Sequence, residues 1–144
     1  MPGTLTDDLL NHAAEQLAKR LDAHTVILYG SGAAGLLRAD SDVDFAFLSE
    51  RKHDSFEIFL TAQKLAALLG REVDVVDFER SSTVLQAEIA GRGIVLVDRQ
   101  PTLRQYAFMR ALKSYAMLNE ERQSILANLG YVEGRHGEHR QYFD

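Results

Sequence analysis

Two apolar runs, Val26-Ile27-Leu28-Tyr29 and Val43 to Leu48, are joined by a segment too short to contain a crossover helix. The first run ends in the turn Gly30-Ser31, and ten residues further on the second opens with Asp42-Val43-Asp44. Each run has the length and the β-branched or aromatic content of a buried strand. Parallel neighbours need a connection of about a dozen residues or more, usually a helix. Only the six residues Leu36 to Ser41 lie between Gly35 and Asp42, and Arg38, Asp40 and Ser41 among them are polar and not periodic. A hairpin-like, antiparallel pair is therefore expected. Gly30-Ser31-Gly32-Ala33-Ala34-Gly35 also satisfies G-x-G-x-x-G, and Glu50 lies 20 residues beyond Gly30. That dinucleotide fingerprint belongs to a parallel strand–helix–strand unit, which this connection is too short to build.

The acids of the second run carry the chemistry. Strand side chains alternate, so Asp42, Asp44 and Ala46 project to one face while Val43, Phe45 and Phe47 project to the other, into a core. Carboxylates one strand step apart offer oxygen ligands to a hard divalent cation, and Mg2+ is normally held by one or two carboxylates together with substrate phosphates. The Gly30-Ser31 turn offers backbone N–H groups and a hydroxyl to those phosphates. Isolated D-x-D pairs are most often solvated turn acids. Here the glycine-serine turn and a third acid on a later strand turn the balance toward nucleotidyl transfer. Asp74 is the natural third carboxylate: in an alternating strand it shares a face with Glu72 and Val76, opposite Val73, Val75 and Asp77. Asp77, at the strand end beside Glu79 and Arg80, is the weaker candidate.

The remaining elements follow from periodicity and caps. A helix from Thr6 to Leu21 has Thr6 as N-cap, Asp7 and Asp8 in the first turn, and a stripe of Leu9, Leu10, Ala13, Leu17 and Leu21. Asp54 with Glu57 suits a capping box for a second helix, with Ile58, Phe59, Ala62, Leu65, Ala66 and Leu69 as the expected buried face and Gly70 as its stop. Glu72 to Phe78 reads as a strand. Ser81 or Ser82 can cap a short helix through Ile89, and Gly91 and Gly93 are expected to bracket the turn into a last strand, Ile94 to Val97. From Leu103 to about Leu129 the pattern is helical, with Leu103, Ala107, Ala111 and Tyr115 on one stripe and Tyr106, Met109 and Met117 on another. A helix apolar on two sides is either buried or docked on a partner.

At 144 residues, with 46% apolar and 26% charged residues and no cysteine, the chain suits one α+β domain in a reducing compartment. No signal-peptide pattern opens it and no apolar run approaches about 18 residues, so a cytoplasmic location is expected. Residues 1–98 hold 9 Lys/Arg against 16 Asp/Glu, which argues against direct nucleic-acid binding, whereas residues 99–144 hold 7 against 5. The slight basic excess of that second part suits a solvated helix face better than an acidic partner. The five histidines, His12, His24, His53, His136 and His139, show no metal-ligand spacing beyond the tail pair, and ordinary surface roles are expected for them.

Gly30-Ser31-x10-Asp42-x-Asp44, with Asp74, resembles the polymerase-beta-type nucleotidyltransferase superfamily, and the small size resembles its minimal nucleotidyltransferase (MNT) branch. The resemblance covers nearly the whole chain. It implies a small mixed sheet of about four strands covered by helices, with residues 1–98 as catalytic core, 99–130 as a C-terminal helical segment and 131–144 as a loose tail. It implies Mg2+-dependent transfer of AMP from ATP, with Gly30, Ser31, Arg38 and Ser41 toward the nucleotide. Asp42 and Asp44 would bridge two Mg2+ ions, and Asp74 would ligate the metal that activates the acceptor hydroxyl. Members of the branch are commonly antitoxins that modify a tyrosine of a HEPN ribonuclease toxin, so a HEPN-type partner on the C-terminal helix and the active-site edge is implied. Many relatives carry loop arginines in a form like G-S-R-A-R-G. Here those positions read Gly32, Ala33, Ala34 and Gly35, leaving Arg38 as the loop cation. The tail's Arg135, His139 and Tyr142 are similar to a HEPN signature, but with only three residues between Arg135 and His139 the match is taken as chance. Two alternatives stay open: masking of the toxin by binding alone, and AMP transfer to a small molecule, for which about 45 residues after Asp98 leave little room for an acceptor domain.

Overall fold

The antiparallel pairing of the two central strands organises the chain. In the computed structural model, which describes residues 6–35 and 41–130, α1 (Asp7–Leu21) leads into β1 (Ala23–Tyr29), and β2 (Val43–Ser49) returns beside it. Then come α2 (Ser55–Leu69), β3 (Val73–Asp77), a 3-10 turn (Phe78–Arg80), α3 (Thr83–Arg92), β4 (Ile94–Asp98) and α4 (Pro101–Asn128). The sheet order is β3-β2-β1-β4. β1 is antiparallel to β2 and to β4, while β2 and β3 run parallel with α2 as their crossover. The antiparallel β1–β2 pair is the one the short connection predicts, and the mixed, helix-covered α+β sheet is the one the family resemblance implies.

Both faces of the sheet are covered. On one, Val43, Phe45 and Phe47 meet Val26 and Leu28 and pack under α1 and α2 through Leu10, Leu17, Leu21 and Leu65. On the other, Ile27, Ala46 and Leu48 pack with Phe78, Ile89, Ala107 and Ala111 beneath α3 and α4. The acid-bearing face of β2 is thus open only at its N-terminal end, since Ala46 and Leu48 lie in a second core. The caps are local chemistry. Thr6 Oγ1 accepts from the Leu9 amide at 3.1 Å, Asp54 Oδ1 from the Glu57 amide at 2.7 Å, and Ser82 Oγ from the Leu85 amide at 3.2 Å.

Four details differ from the sequence reading. Phe59 is 56% exposed, because α2 presents Thr61, Ala62, Leu65 and Leu69 to α1 and β3 and leaves its opposite side uncovered. Gly91 lies inside α3, which continues past Ile89 to Arg92, so Gly93 alone ends the helix. α4 begins at Pro101, a residue suited to a first turn because the proline lacks only an amide that has no helical partner there. His53 is buried, not a surface histidine: its ring lies edge-on to Phe47 at 5.2 Å, and Nε2 donates to the Leu21 carbonyl. The stripe Ala107, Ala111 and Tyr115 of α4 is buried as expected, with Leu103 at its exposed start. The tail residues Arg135, His136, His139 and Tyr142 lie outside the described residues.

Phe45 is completely buried at the centre of the α1/α2 core. Phe45→Ala is expected to lower unfolding free energy by about 3–5 kcal/mol, through lost burial and the cavity left behind. Urea denaturation measures this, and a loss under about 1 kcal/mol would contradict the packing described.

Candidate active site

The strand registers assemble the acids. Tyr29 of β1 lies opposite Asp44 of β2, and Asp44 lies opposite Asp74 of β3, so the three form one row across the sheet. Because β1 is antiparallel to β2 and β3 is parallel to it, the C-terminal end of β1 and the N-terminal ends of β2 and β3 meet at one edge. Asp42 stands one residue before β2 at the same edge and is exposed, whereas Asp44 is half-buried. Asp77 is elsewhere: it pairs with Phe47 at the far end of β3, and its Oδ1 accepts from the Glu79 amide.

Gly30 follows Tyr29 and takes φ +68°, a conformation L side chains rarely adopt. It also lies against the Asp44 carboxylate. A Cβ at position 30 would lie 2.6 Å from Asp44 Oδ2, so only glycine lets this carboxylate rest against the turn. The loop then folds over itself, with the Ala34 amide donating to the Gly30 carbonyl at 3.2 Å. Beside it lies a pocket of about 330 Å3 lined by Tyr29, Gly30, Ser31, Ala33, Ala34, Glu88 and Arg92.

Of the residues expected at a nucleotide site, the structure brings Gly30, Ser31, Asp42, Asp44 and Asp74 to this edge. Ser41 sits just before it, its carbonyl accepting from Arg71 Nη1 at 3.3 Å. Arg38 lies outside the described residues. Glu88 and Arg92 were not anticipated. They are four residues apart on α3 and so share a helix face, but nothing in the sequence announces that this face lies over the end of β1.

The site is electrostatically costly. Burial raises the Asp44 carboxyl above its ordinary value, and the negative charges of Asp74, Asp42 and Glu88 add to the shift. The Tyr29 hydroxyl is pushed far above its usual range by burial, and further by Asp44, Asp74 and Glu88. No ion pair forms on Asp44 or Asp74 among the described residues. Nor do any three acidic, histidine or cysteine side chains among them close into a ready-made cation cage. Hard carboxylates that repel one another at an open edge fit Mg2+, which retains water and phosphate ligands and takes only one or two carboxylates from a protein.

Residues 11–102 match the family described as Polymerase beta, Nucleotidyltransferase. Over 101 residues the chain is 34% identical to the Protein adenylyltransferase MntA of Shewanella oneidensis strain MR-1, covering 70% of this chain and 72% of that one. It is similar to a chain in the crystal structure of a toxin-antitoxin with AMP-PNP, with 28% identity, a TM-score of 0.73, and coverage of 84% and 98% of the two chains. It is also similar to a chain in the structure of a tri-AMPylated Shewanella oneidensis HEPN toxin in complex with MNT antitoxin, at 25% identity, TM-score 0.70 and coverage of 88% and 100%. The fold is that of a nucleotidyltransferase. The chain belongs to the polymerase beta nucleotidyltransferase family.

The raised Asp44 value has a consequence for stability. The native chain holds this proton more tightly than the unfolded chain, so the group's contribution is full at low pH and is lost as pH rises through the folded value. Once ionised, the carboxylate is repelled by Asp74, Asp42 and Glu88, and this acts against folding. Asp44→Asn is therefore expected to melt above the wild type at pH 7, with the gap narrowing as pH falls through the carboxylate range. Mg2+ should raise the wild-type Tm and leave the variant's nearly unchanged. Differential scanning calorimetry checks both, and a variant melting below the wild type at pH 7 would overturn the electrostatic account.

Proposed function

We propose that this chain transfers AMP from ATP to a hydroxyl, that of a tyrosine, on a HEPN-type toxin, and so acts as the toxin's antitoxin in the cytoplasm. The observation that carries this reading is the Tyr29–Asp44–Asp74 row with Asp44 resting on Gly30, beside the Gly30-Ser31 turn. The likeness to the MntA adenylyltransferase and to the chain solved with a tri-AMPylated HEPN toxin supports the acceptor. The likeness to the chain solved with AMP-PNP supports ATP as donor.

In this reading the Gly30-Ser31 turn holds the β- and γ-phosphates, with Ser31 contributing its hydroxyl, and Ser41 and Arg38 complete the nucleotide contacts. Asp42, Asp44 and Asp74 hold two Mg2+ ions. When bound, the ions neutralise phosphate charge and lower the pKa of the acceptor hydroxyl. The acceptor oxygen attacks the α-phosphorus, its proton passes to Asp74, and the bond to pyrophosphate breaks as the new P–O bond forms. Much of the rate then comes from positioning and from charge placed in advance.

One alternative has its own observation. Tyr106, Met109 and Met117 on α4 are 63%, 65% and 55% exposed, and no residue of the helix beyond Tyr115 is fully buried. Such a face suits a protein partner, and masking by it alone would neutralise a toxin without chemistry. Transfer to a small molecule has less support, because the described residues after Asp98 form a single helix rather than an acceptor-binding domain.

Incubating the chain with Mg2+, α-labelled ATP and host extract separates these readings. Label on a single small protein, reduced about a thousandfold in rate by Asp42→Asn or Asp44→Asn, is the expected result; it corresponds to about 4 kcal/mol of transition-state stabilisation. A loss below tenfold would remove those carboxylates from the site. Undiminished neutralisation of the partner by the Asp42→Asn protein at equal amounts would favour masking.

A further inference from the structure

Arg92 occupies a place that the sequence of the loop leaves empty. The residues after Ser31 read Gly32-Ala33-Ala34-Gly35 and bring no charge to the phosphate side of the pocket. α3 reaches that side from elsewhere. Its end is pressed against β1: the Gly93 amide donates to the Ile89 carbonyl at 2.9 Å, and a Cβ at position 93 would lie 2.5 Å from both Ile27 Cγ2 and the Ile89 carbonyl oxygen. Gly93 therefore sets how closely α3 approaches the strand, and Arg92, the residue before it, is fixed at the end of β1. Its side chain lines the same pocket as Gly30 and Ser31, and it is the cation among the described lining residues.

We infer that Arg92 binds the β- and γ-phosphates of the donor nucleotide, supplying from α3 the positive charge that Gly32 to Gly35 do not, and so makes the site select a nucleoside triphosphate over a monophosphate. This rests on the nucleotidyl-transfer reading above. A guanidinium is always charged and presents paired donors that match two phosphate oxygens at once. The surrounding charges make the need plain. Glu88 lines the pocket with Arg92, and Asp44 and Asp74 stand in the adjoining row, so without Arg92 the one charged side chain among the described lining residues would be negative. Arg92 is exposed, one turn along α3 from Glu88.

The test is equilibrium binding in Mg2+ of the non-hydrolysable ATP analogue AMP-PNP, and of AMP by competition against it, to the full chain and its variants. Arg92→Ala is expected to weaken the analogue about 10- to 100-fold, as for a lost charged hydrogen bond, while AMP changes less than about twofold. Arg92→Lys should recover part of the loss. Equal weakening of both nucleotides, or none of the analogue, would overturn the inference for Arg92. Failure of the wild type itself to bind the analogue would overturn the nucleotidyl-transfer reading as a whole.

Discussion

The close approach of the Asp44 carboxylate to the bare α-carbon of Gly30 is the constraint on which the site depends. It requires β1 to end where β2 begins, hence the antiparallel pair. It requires a residue without a side chain at the turn, in a left-handed conformation. Once that contact is made, the register carries the pattern outward: Tyr29 faces Asp44 on one side, and the parallel pairing of β2 with β3 brings Asp74 to the other. No long-range coincidence is needed to gather the acids, because hydrogen-bonded ladders with a period of two do so wherever the registers agree.

The arrangement is unfavourable for the protein alone. Like charges are held together at the end of a face whose remainder is apolar, and the sheet tolerates this because Phe45, Phe47 and Ile27 are completely buried in cores on either side. Sites of this kind trade stability for a prepared electrostatic environment. On the reading proposed above, bound cations would relieve this repulsion, so the metal-bound complex would be the state in which the charges balance.

Much of this was legible in the residues because it was local. The short link between Gly35 and Asp42 dictated the antiparallel pair, the alternation around Asp42 and Asp74 named the shared face, and Thr6, Asp54 and Ser82 marked their helix starts. What escaped was tertiary. Phe59 has the spacing of a core residue, but which side of α2 faces outward depends on how α1 crosses it. His53 looked like loop polarity until Phe47 and the Leu21 carbonyl closed around it. Glu88 and Arg92 sit on an unremarkable helix, and only the tight seat of Gly93 on β1 reveals that their face overlooks the Gly30-Ser31 turn.

The long α4 has a thermodynamic corollary. Its buried anchors, Ala107, Ala111 and Tyr115, all lie within its first fifteen residues, and no residue of the helix after Tyr115 is buried. A stretch of roughly a dozen residues in that situation is only marginally helical on its own. Its local opening is therefore expected to cost far less than unfolding the sheet, with amide exchange there running ahead of the body. A protein surface laid along it would consolidate the outer turns, so that recognition and the ordering of this helix become one cooperative event.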